Sequence, residues 1–88
     1  MKLIPGLLVH HTPDGAVAVP TGEAAKVLHG MMKLSATAAF LLEQMEKSAD
    51  EDALVKALLQ NYRVEEDRAR ADVRALLAQL ESIGCLIP

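Results

Sequence analysis

Few side chains in this sequence are of the types that carry out catalysis or hold metals. The only cysteine is Cys85, and the three histidines are His10, His11 and His29. His10 and His11 are neighbours in a β-prone segment, so their side chains point to opposite faces and do not converge on one metal ion. Because Cys85 follows a predicted helix end near the C-terminus, we expect it to be a small buried hydrophobic residue. The sequence predicts no catalytic site, no metal and no cofactor.

Two acidic clusters, at positions 50–52 and 65–67, are the next candidates for chemistry. Each stands at the start of a segment with helical periodicity, where negative side chains stabilise the positive end of the helix dipole. Neither forms a pair of carboxylates in an apolar setting, the arrangement that shifts a carboxyl pKa toward a catalytic value. We therefore interpret both clusters as helix N-termini.

The last predicted helix carries a strip of side chains beside its apolar stripe. The strip follows steps of four, three and four residues and consists of Arg70, Arg74, Leu77 and Glu81. The two arginines repel slightly, and Leu77 widens the apolar surface beyond the core. Such a strip suits an acidic, partly apolar peptide. Periodicity alone favours the alternative, an ordinary helix flank on which Leu77 covers the edge of the core.

The helix that carries this strip is positioned by other predicted elements, and the first of these along the chain are strands. Residues 7–19 are predicted to form a hairpin, because two β-prone segments flank the strong turn signal Asp14-Gly15. A third strand is predicted over residues 31–34, with a one-turn helix as the alternative. In that strand Met32 and Leu34 lie on one face, and the neighbouring side chains lie on the other.

Three helices are predicted to follow the strands. Ser35 is a candidate N-cap for the first, which runs from residue 36 to about residue 45. Ser48 and Glu51 stand at capping-box spacing before the second helix, and Asp50 is a rival cap. The third helix ends at Gly84, where we expect a positive φ. Its apolar stripe is Ala69, Val73, Leu76, Leu80 and Ile83.

This order of elements predicts an α+β, winged-helix-like fold, a three-stranded antiparallel sheet followed by three helices. The chain has 88 residues, 51% of them hydrophobic, which suits one domain over residues 1–88. Its net charge of −3 lacks the basic excess of a duplex DNA binder. A single cysteine excludes an internal disulfide, and no apolar run is long enough for a signal peptide or a membrane span. We expect a cytoplasmic protein with neither membrane nor nucleic-acid partners.

Four segments of the chain, at 19–24, 29–39, 53–64 and 72–86, carry a resemblance to a known family. Residues 34–39 read Leu-Ser-Ala-Thr-Ala-Ala, which is similar to the pattern Leu-Asn-x-Thr-(Gly/Ala)-Ala of the PqqD family. PqqD is the peptide chaperone of pyrroloquinoline quinone synthesis. The departure from the pattern at Ser35 exchanges one good helix cap for another. The resemblance covers roughly residues 5–87, and the loop at 22–30 resembles stand-alone PqqD-like proteins rather than members of the quinone pathway.

The resemblance implies a function and a place for it. PqqD-like domains recognise the leader of a ribosomally made precursor peptide and present it to a modifying enzyme, often a radical S-adenosylmethionine enzyme. The leader adds as an extra strand beside the third strand, in a groove walled by the third helix. On this chain the implied edge is Met31, Met32, Lys33 and Leu34. The implied wall is Arg70, Arg74, Leu77 and Glu81.

Two other classes of function stay open at the level of sequence. A structural module would use its open strand edge and Met31 to form a homodimer. A winged-helix DNA-binding protein is compatible with the fold, although the net charge and the acids at 65–67 oppose the approach of phosphates. The sequence does not identify the precursor peptide, the modifying enzyme or the product.

Overall fold

The computed structural model describes residues 2–48 and 50–87, and its elements follow the predicted order. The strands are β1 (Lys2–Leu3), β2 (Leu7–Thr12), β3 (Gly15–Pro20), β4 (Met32–Leu34) and β5 (Leu86–Ile87). The helices are α1 (Ala36–Gln44), α2 (Glu51–Asn61) and α3 (Glu66–Ser82), and a 3₁₀ turn covers Ala24–Lys26. The predicted α+β class is confirmed, with a three-stranded antiparallel sheet followed by three helices.

The main sheet has the order β2-β3-β4, and both pairings are antiparallel. In β4 the alternation predicted from the sequence is confirmed, because Met32 and Leu34 are buried while Met31 and Lys33 are exposed. Ala16 and Ala18 are buried on the same face, and α1 contacts all three strands. The apolar face of the sheet therefore packs against the helices, and β4 lies at an outer edge.

The starts of α1 and α2 are fixed by side-chain caps. Ser35 caps α1 as predicted, since its Oγ accepts a hydrogen bond of 3.1 Å from the backbone N–H of Ala38. At α2 the cap is Asp50, whose Oδ2 accepts from the N–H of Ala53 at 3.0 Å. The predicted capping box of Ser48 with Glu51 does not form, since Ser48 Oγ accepts from the N–H of Asp50 at 3.2 Å and the Glu51 carboxylate accepts from arginines of α3.

The core is built around the apolar stripe of α3. The buried residues of this helix are Ala69, Val73, Leu76, Leu77 and Leu80. They join one cluster with the buried leucines of α1 and α2, and Ile83 is partly buried at its margin. Each fully buried leucine contributes roughly 1.5–3 kcal/mol. Within residues 2–48 and 50–87, no helix combines the length and apolar character needed to cross a membrane.

A second, two-stranded sheet that the sequence did not predict joins the two ends of the described chain. Its strands β1 and β5 are antiparallel, with Lys2 opposite Ile87 and Leu3 opposite Leu86. The pairing continues into a hydrogen bond of 2.8 Å from the N–H of Ile4 to the carbonyl of Cys85. Each strand has two residues, too few to show a hydrophobic alternation.

Gly15 allows the end of β4 to approach the hairpin closely. Its φ is +147°, and a Cβ atom at this position would lie 2.5 Å from the carbonyl oxygen of Leu34. The Leu34 carbonyl is therefore directed toward β3. Because successive residues of a strand direct their backbone groups to opposite sides, the N–H and C=O of Lys33 are directed to the outer edge of β4.

We predict that Gly15→Ala lowers the free energy of unfolding by about 2–4 kcal/mol, from backbone strain and from the contact with Leu34. The matched control is Gly30→Ala, because Gly30 also has a positive φ, +116°, but no neighbouring atom lies within 4 Å of its Cβ position. Urea denaturation followed by circular dichroism measures both. Equal losses in the two variants would show that the close approach of Leu34 contributes nothing.

Candidate functional site

The outer edge of β4 is one of the two outer edges of the main sheet, and the other belongs to β2. Among residues 2–48 and 50–87, no strand pairs with this edge, because β4 pairs only with β3. The backbone groups of Lys33 are directed there, and its exposed side chain stands on the sheet face opposite the helices. An unpaired edge of this kind is a ready template for an added strand.

A cleft of about 400 Å³ lies between the end of β4, the start of α1 and one flank of α3. We call it the β4–α3 cleft, and its lining residues are Ser35, Thr37, Ala38, Leu41, Arg68, Asp72, Ala75, Leu76 and Gln79. Its apolar floor comes from Leu41 and Leu76 together with the two alanines. A contact of 3.8 Å between Gln79 Nε2 and Met32 Sδ links α3 to β4 beside the cleft.

The mouth of the cleft carries one ion pair. Arg68 Nε donates to Asp72 Oδ1 at 3.4 Å, one helical turn apart along α3. The sequence contains this pair at i,i+4 spacing, where it has the appearance of surface decoration, worth a few tenths of a kcal/mol. The structure instead places both side chains in the lining of the β4–α3 cleft.

The predicted helical wall lies on the other flank of α3. At about 100° per residue, Arg70, Arg74 and Glu81 fall on the side of the apolar stripe opposite to Arg68 and Gln79. None of the four predicted wall residues lines the β4–α3 cleft. Leu77, expected to widen the exposed apolar surface, is only 7% exposed and belongs to the core. The structure therefore brings the predicted strand edge and the predicted wall to different sides of the core.

Arg70 and Arg74 are occupied by the start of α2. Arg70 Nη1 donates to Glu51 Oε2 at 2.6 Å and to Asp52 Oδ1 at 3.0 Å. Arg74 Nε donates to the two Glu51 oxygens at 3.1 and 3.2 Å. The hydrogen bonds from Arg74 and Arg70 lower the pKa of the Glu51 carboxyl, and those from Glu51 and Asp52 raise the pKa of Arg70. These ion pairs join α2 to α3. They also offset the repulsion between Arg70 and Arg74, which stand at i,i+4 in α3.

The other residues considered for chemistry lie apart from each other. His11 Nε2 stands 3.3 Å from Glu43 Oε1, joining β2 to α1 at the surface. His10 and His29 are exposed at separate places, and Cys85 is completely buried. Burial raises the pKa of the Cys85 thiol. In the part of the chain that the structure describes, no three His, Cys, Asp or Glu side chains are grouped to hold a metal ion.

Comparison with known protein families gives a match over most of the chain. The model of the family described as "Coenzyme PQQ synthesis protein D (PqqD)" matches residues 14–86. The chain belongs to the PqqD family. The match begins in the turn of the hairpin and extends to β5, so it includes β4 and all three helices. No protein of curated function matches the chain.

Two solved structures share the fold of this PqqD-family chain. The structure titled "TbiB1 in Complex with the TbiA(beta) Leader Peptide" has 20% sequence identity and a TM-score of 0.72. The match covers 98% of this chain and 94% of that one. The structure titled "Lasso peptide synthetase B1 complexed with the leader peptide" has 24% identity and a TM-score of 0.70. It covers 99% of this chain and 96% of that one.

Acid should destabilise this PqqD-family chain partly through Glu51. Because the arginines lower the pKa of Glu51 in the folded state, the unfolded chain binds the proton more readily. The stabilisation is present above the carboxyl pKa of the unfolded chain and is lost as the pH falls through the folded value. Urea denaturation at roughly pH 7 and pH 3 should show a smaller loss of stability for Glu51→Gln than for the wild type. Glu81→Gln, which removes an exposed carboxylate, is the control, and identical pH dependence in all three proteins would contradict the role of Glu51.

We also predict that Cys85 is inert in the folded protein, because its thiol is completely buried and its pKa is raised. Its reaction with a chromogenic disulfide reagent at mildly alkaline pH should be at least about a hundredfold slower in buffer than in concentrated guanidinium chloride. A fast reaction in buffer would show that the end of α3 opens readily.

Proposed function

We propose that the chain binds the leader segment of a precursor peptide as an added strand on β4 and presents it to a modifying enzyme. The observation that carries this proposal is the free edge of β4 beside a cleft walled by α3. Membership of the PqqD family supports it, and so do the two structures of the same fold whose titles name a bound leader peptide.

The physical basis is the pairing of backbone groups. An extended peptide satisfies the outward N–H and C=O of Lys33 and gains affinity that is independent of its sequence. Side chains of the peptide that turn toward α3 enter the β4–α3 cleft, and there the sequence of the peptide matters. Met32 lines the buried side of the edge, and its flexible thioether adapts to different apolar neighbours.

The wall that we propose is the flank of α3 that carries Arg68, Asp72, Ala75 and Gln79. The wall implied by the family resemblance, centred on Arg70 and Arg74, is a weaker candidate, because Glu51 and Asp52 already satisfy those two guanidinium groups. A peptide that used them would have to displace ion pairs that join α2 to α3.

In this proposal the chain is a carrier and not a catalyst. The side chains nearest to the cleft are hydroxyls, an amide and one closed ion pair, without a nucleophile held against a base. The chemistry is supplied by a separate enzyme, for which a radical S-adenosylmethionine enzyme is the candidate that the family resemblance favours. The chain itself then needs no cofactor.

Lys33→Pro should weaken peptide binding at least about tenfold, because proline removes the outward N–H and places its ring in the path of the added strand. The control Lys33→Ala keeps the N–H and should change affinity by less than about threefold. Since the natural leader is unidentified, the probes are peptides selected by the wild type from a phage-displayed random library, then synthesised and measured by calorimetry.

Nuclear magnetic resonance of the labelled protein with a selected peptide locates the wall. We expect the peptide to change the chemical shifts of the backbone amides of β4 and of Arg68, Ala75 and Gln79. The chemical shifts of the Arg70 and Arg74 amides should not change. The opposite pattern would restore the wall implied by the resemblance. Selection of no peptide, or affinity unaffected by Lys33→Pro, would contradict leader binding at β4. Light scattering that shows a dimer insensitive to peptide would favour the homodimer instead.

A further inference from the structure

The β4–α3 cleft continues beyond the end of β4 into a second hollow. This connector hollow, of about 220 Å³, is lined by Thr37, Leu58, Tyr62, Arg63, Val64 and Asp72. Thr37 and Asp72 also line the β4–α3 cleft, so the two spaces adjoin around these side chains. Together they form a path from β4, past the start of α1, to the segment that connects α2 to α3.

The connector hollow has an apolar wall with a fixed aromatic ring. Tyr62 is 39% exposed, and its ring packs edge to face against Phe40 with the centroids 5.4 Å apart. Leu58 is almost completely buried behind it, and Val64 is partly buried. A half-exposed aromatic ring that is already held in one orientation offers contact area at a small entropic cost.

The lining of the connector hollow carries one positive and one negative side chain at neutral pH. These two side chains are Arg63, which is exposed, and Asp72, which already accepts a hydrogen bond from Arg68. The acids at 65–67 begin α3 just beyond the hollow but do not line it. An entering side chain therefore meets an aromatic wall, the exposed Arg63, and the Asp72 carboxylate, whose charge is already paired with Arg68.

The direction of the sheet decides which part of a peptide reaches this hollow. Every pairing in the main sheet is antiparallel, and β4 runs toward Ser35 and the cleft. A peptide that adds to β4 in the same antiparallel manner runs the other way. The residues that lie over Thr37 and Tyr62 are then those N-terminal to the paired segment.

We propose that the connector hollow is a second peptide subsite, which binds the residues N-terminal to the segment paired with β4. It takes an apolar side chain against Tyr62 and Leu58 and a carboxylate against Arg63. This proposal rests on leader binding at β4 and narrows the ligand to peptides with an acidic and apolar flank before their β-strand.

The test compares selections from one phage-displayed random library against three proteins. The wild type should enrich an acidic residue beside an apolar one, N-terminal to the segment that pairs with β4. Arg63→Glu should lose the acidic preference or replace it with a basic one, while the paired segment keeps its consensus. The matched control is Lys56→Glu, which makes the same charge change at an exposed position of α2 outside both spaces, and it should select the wild-type sequences.

Affinity measurements then test directly whether Arg63 interacts with the acidic residue in the flank of the peptide. Replacing the flanking acid of a selected peptide by lysine should weaken binding to the wild type about fivefold and should not weaken binding to Arg63→Glu. Tyr62→Ser, with folding checked by circular dichroism, should reduce the preference for an apolar residue in the flank. If the lysine-substituted peptide loses affinity equally for the wild type and for Arg63→Glu, or if the selected flanks show no preference for acidic and apolar residues, the proposed subsite is wrong. Leader binding at β4 would be unaffected by either result. If affinity is insensitive to Lys33→Pro, leader binding itself fails.

Discussion

The unpaired edge of β4 is the constraint on which the rest of the structure depends. Such an edge attracts any extended chain, including a second copy of the same protein. Here the edge is limited to three residues, Met32–Leu34, and the helix cap Ser35 ends it at once. Gly15 holds the last of these residues close to the hairpin. At this edge the fold thus exposes a short and well-fixed length of backbone, whereas the opposite edge strand, β2, has six residues.

The core of α3 separates two flanks with different tasks. On one flank, Arg70 and Arg74 bind Glu51 and fasten α2 to α3. On the other flank, the Arg68–Asp72 pair satisfies itself within the helix and leaves a cleft open beside β4. The same residue type therefore joins helices on one side and borders a space on the other, and the difference lies in the neighbouring elements.

This division explains what could and could not be predicted from the sequence. The alternation in β4, the cap at Ser35 and the stripe through Val73 and Leu80 are local or periodic features, and all are confirmed. Which flank of α3 faces β4 depends on how helices pack in three dimensions, and a one-dimensional period does not contain that information. Glu51 shows the same limit, because its long-range partners override a local capping motif.

The family resemblance supplied what periodicity could not, the idea of a strand edge beside the last helix. It named the third strand as an edge, and in the structure β4 is an outer strand of the main sheet. The choice of wall residues came from an interpretation of charge. The residues that line the cleft were already visible in the sequence as the i,i+4 pair of Arg68 and Asp72 and as Gln79, about two helical turns after Asp72. Without the positions of the neighbouring strands, nothing distinguished that row from ordinary surface.

The small sheet of β1 and β5 has a consequence for how this fold can be used. Because Lys2 pairs with Ile87, the chain enters and leaves the fold at adjacent points, away from β4. A unit with this geometry can be spliced into a surface loop of a larger protein without stretching the host or covering the edge strand. The same fold can thus stand alone or be inserted into a larger protein, with the outer edge of β4 unpaired in both arrangements.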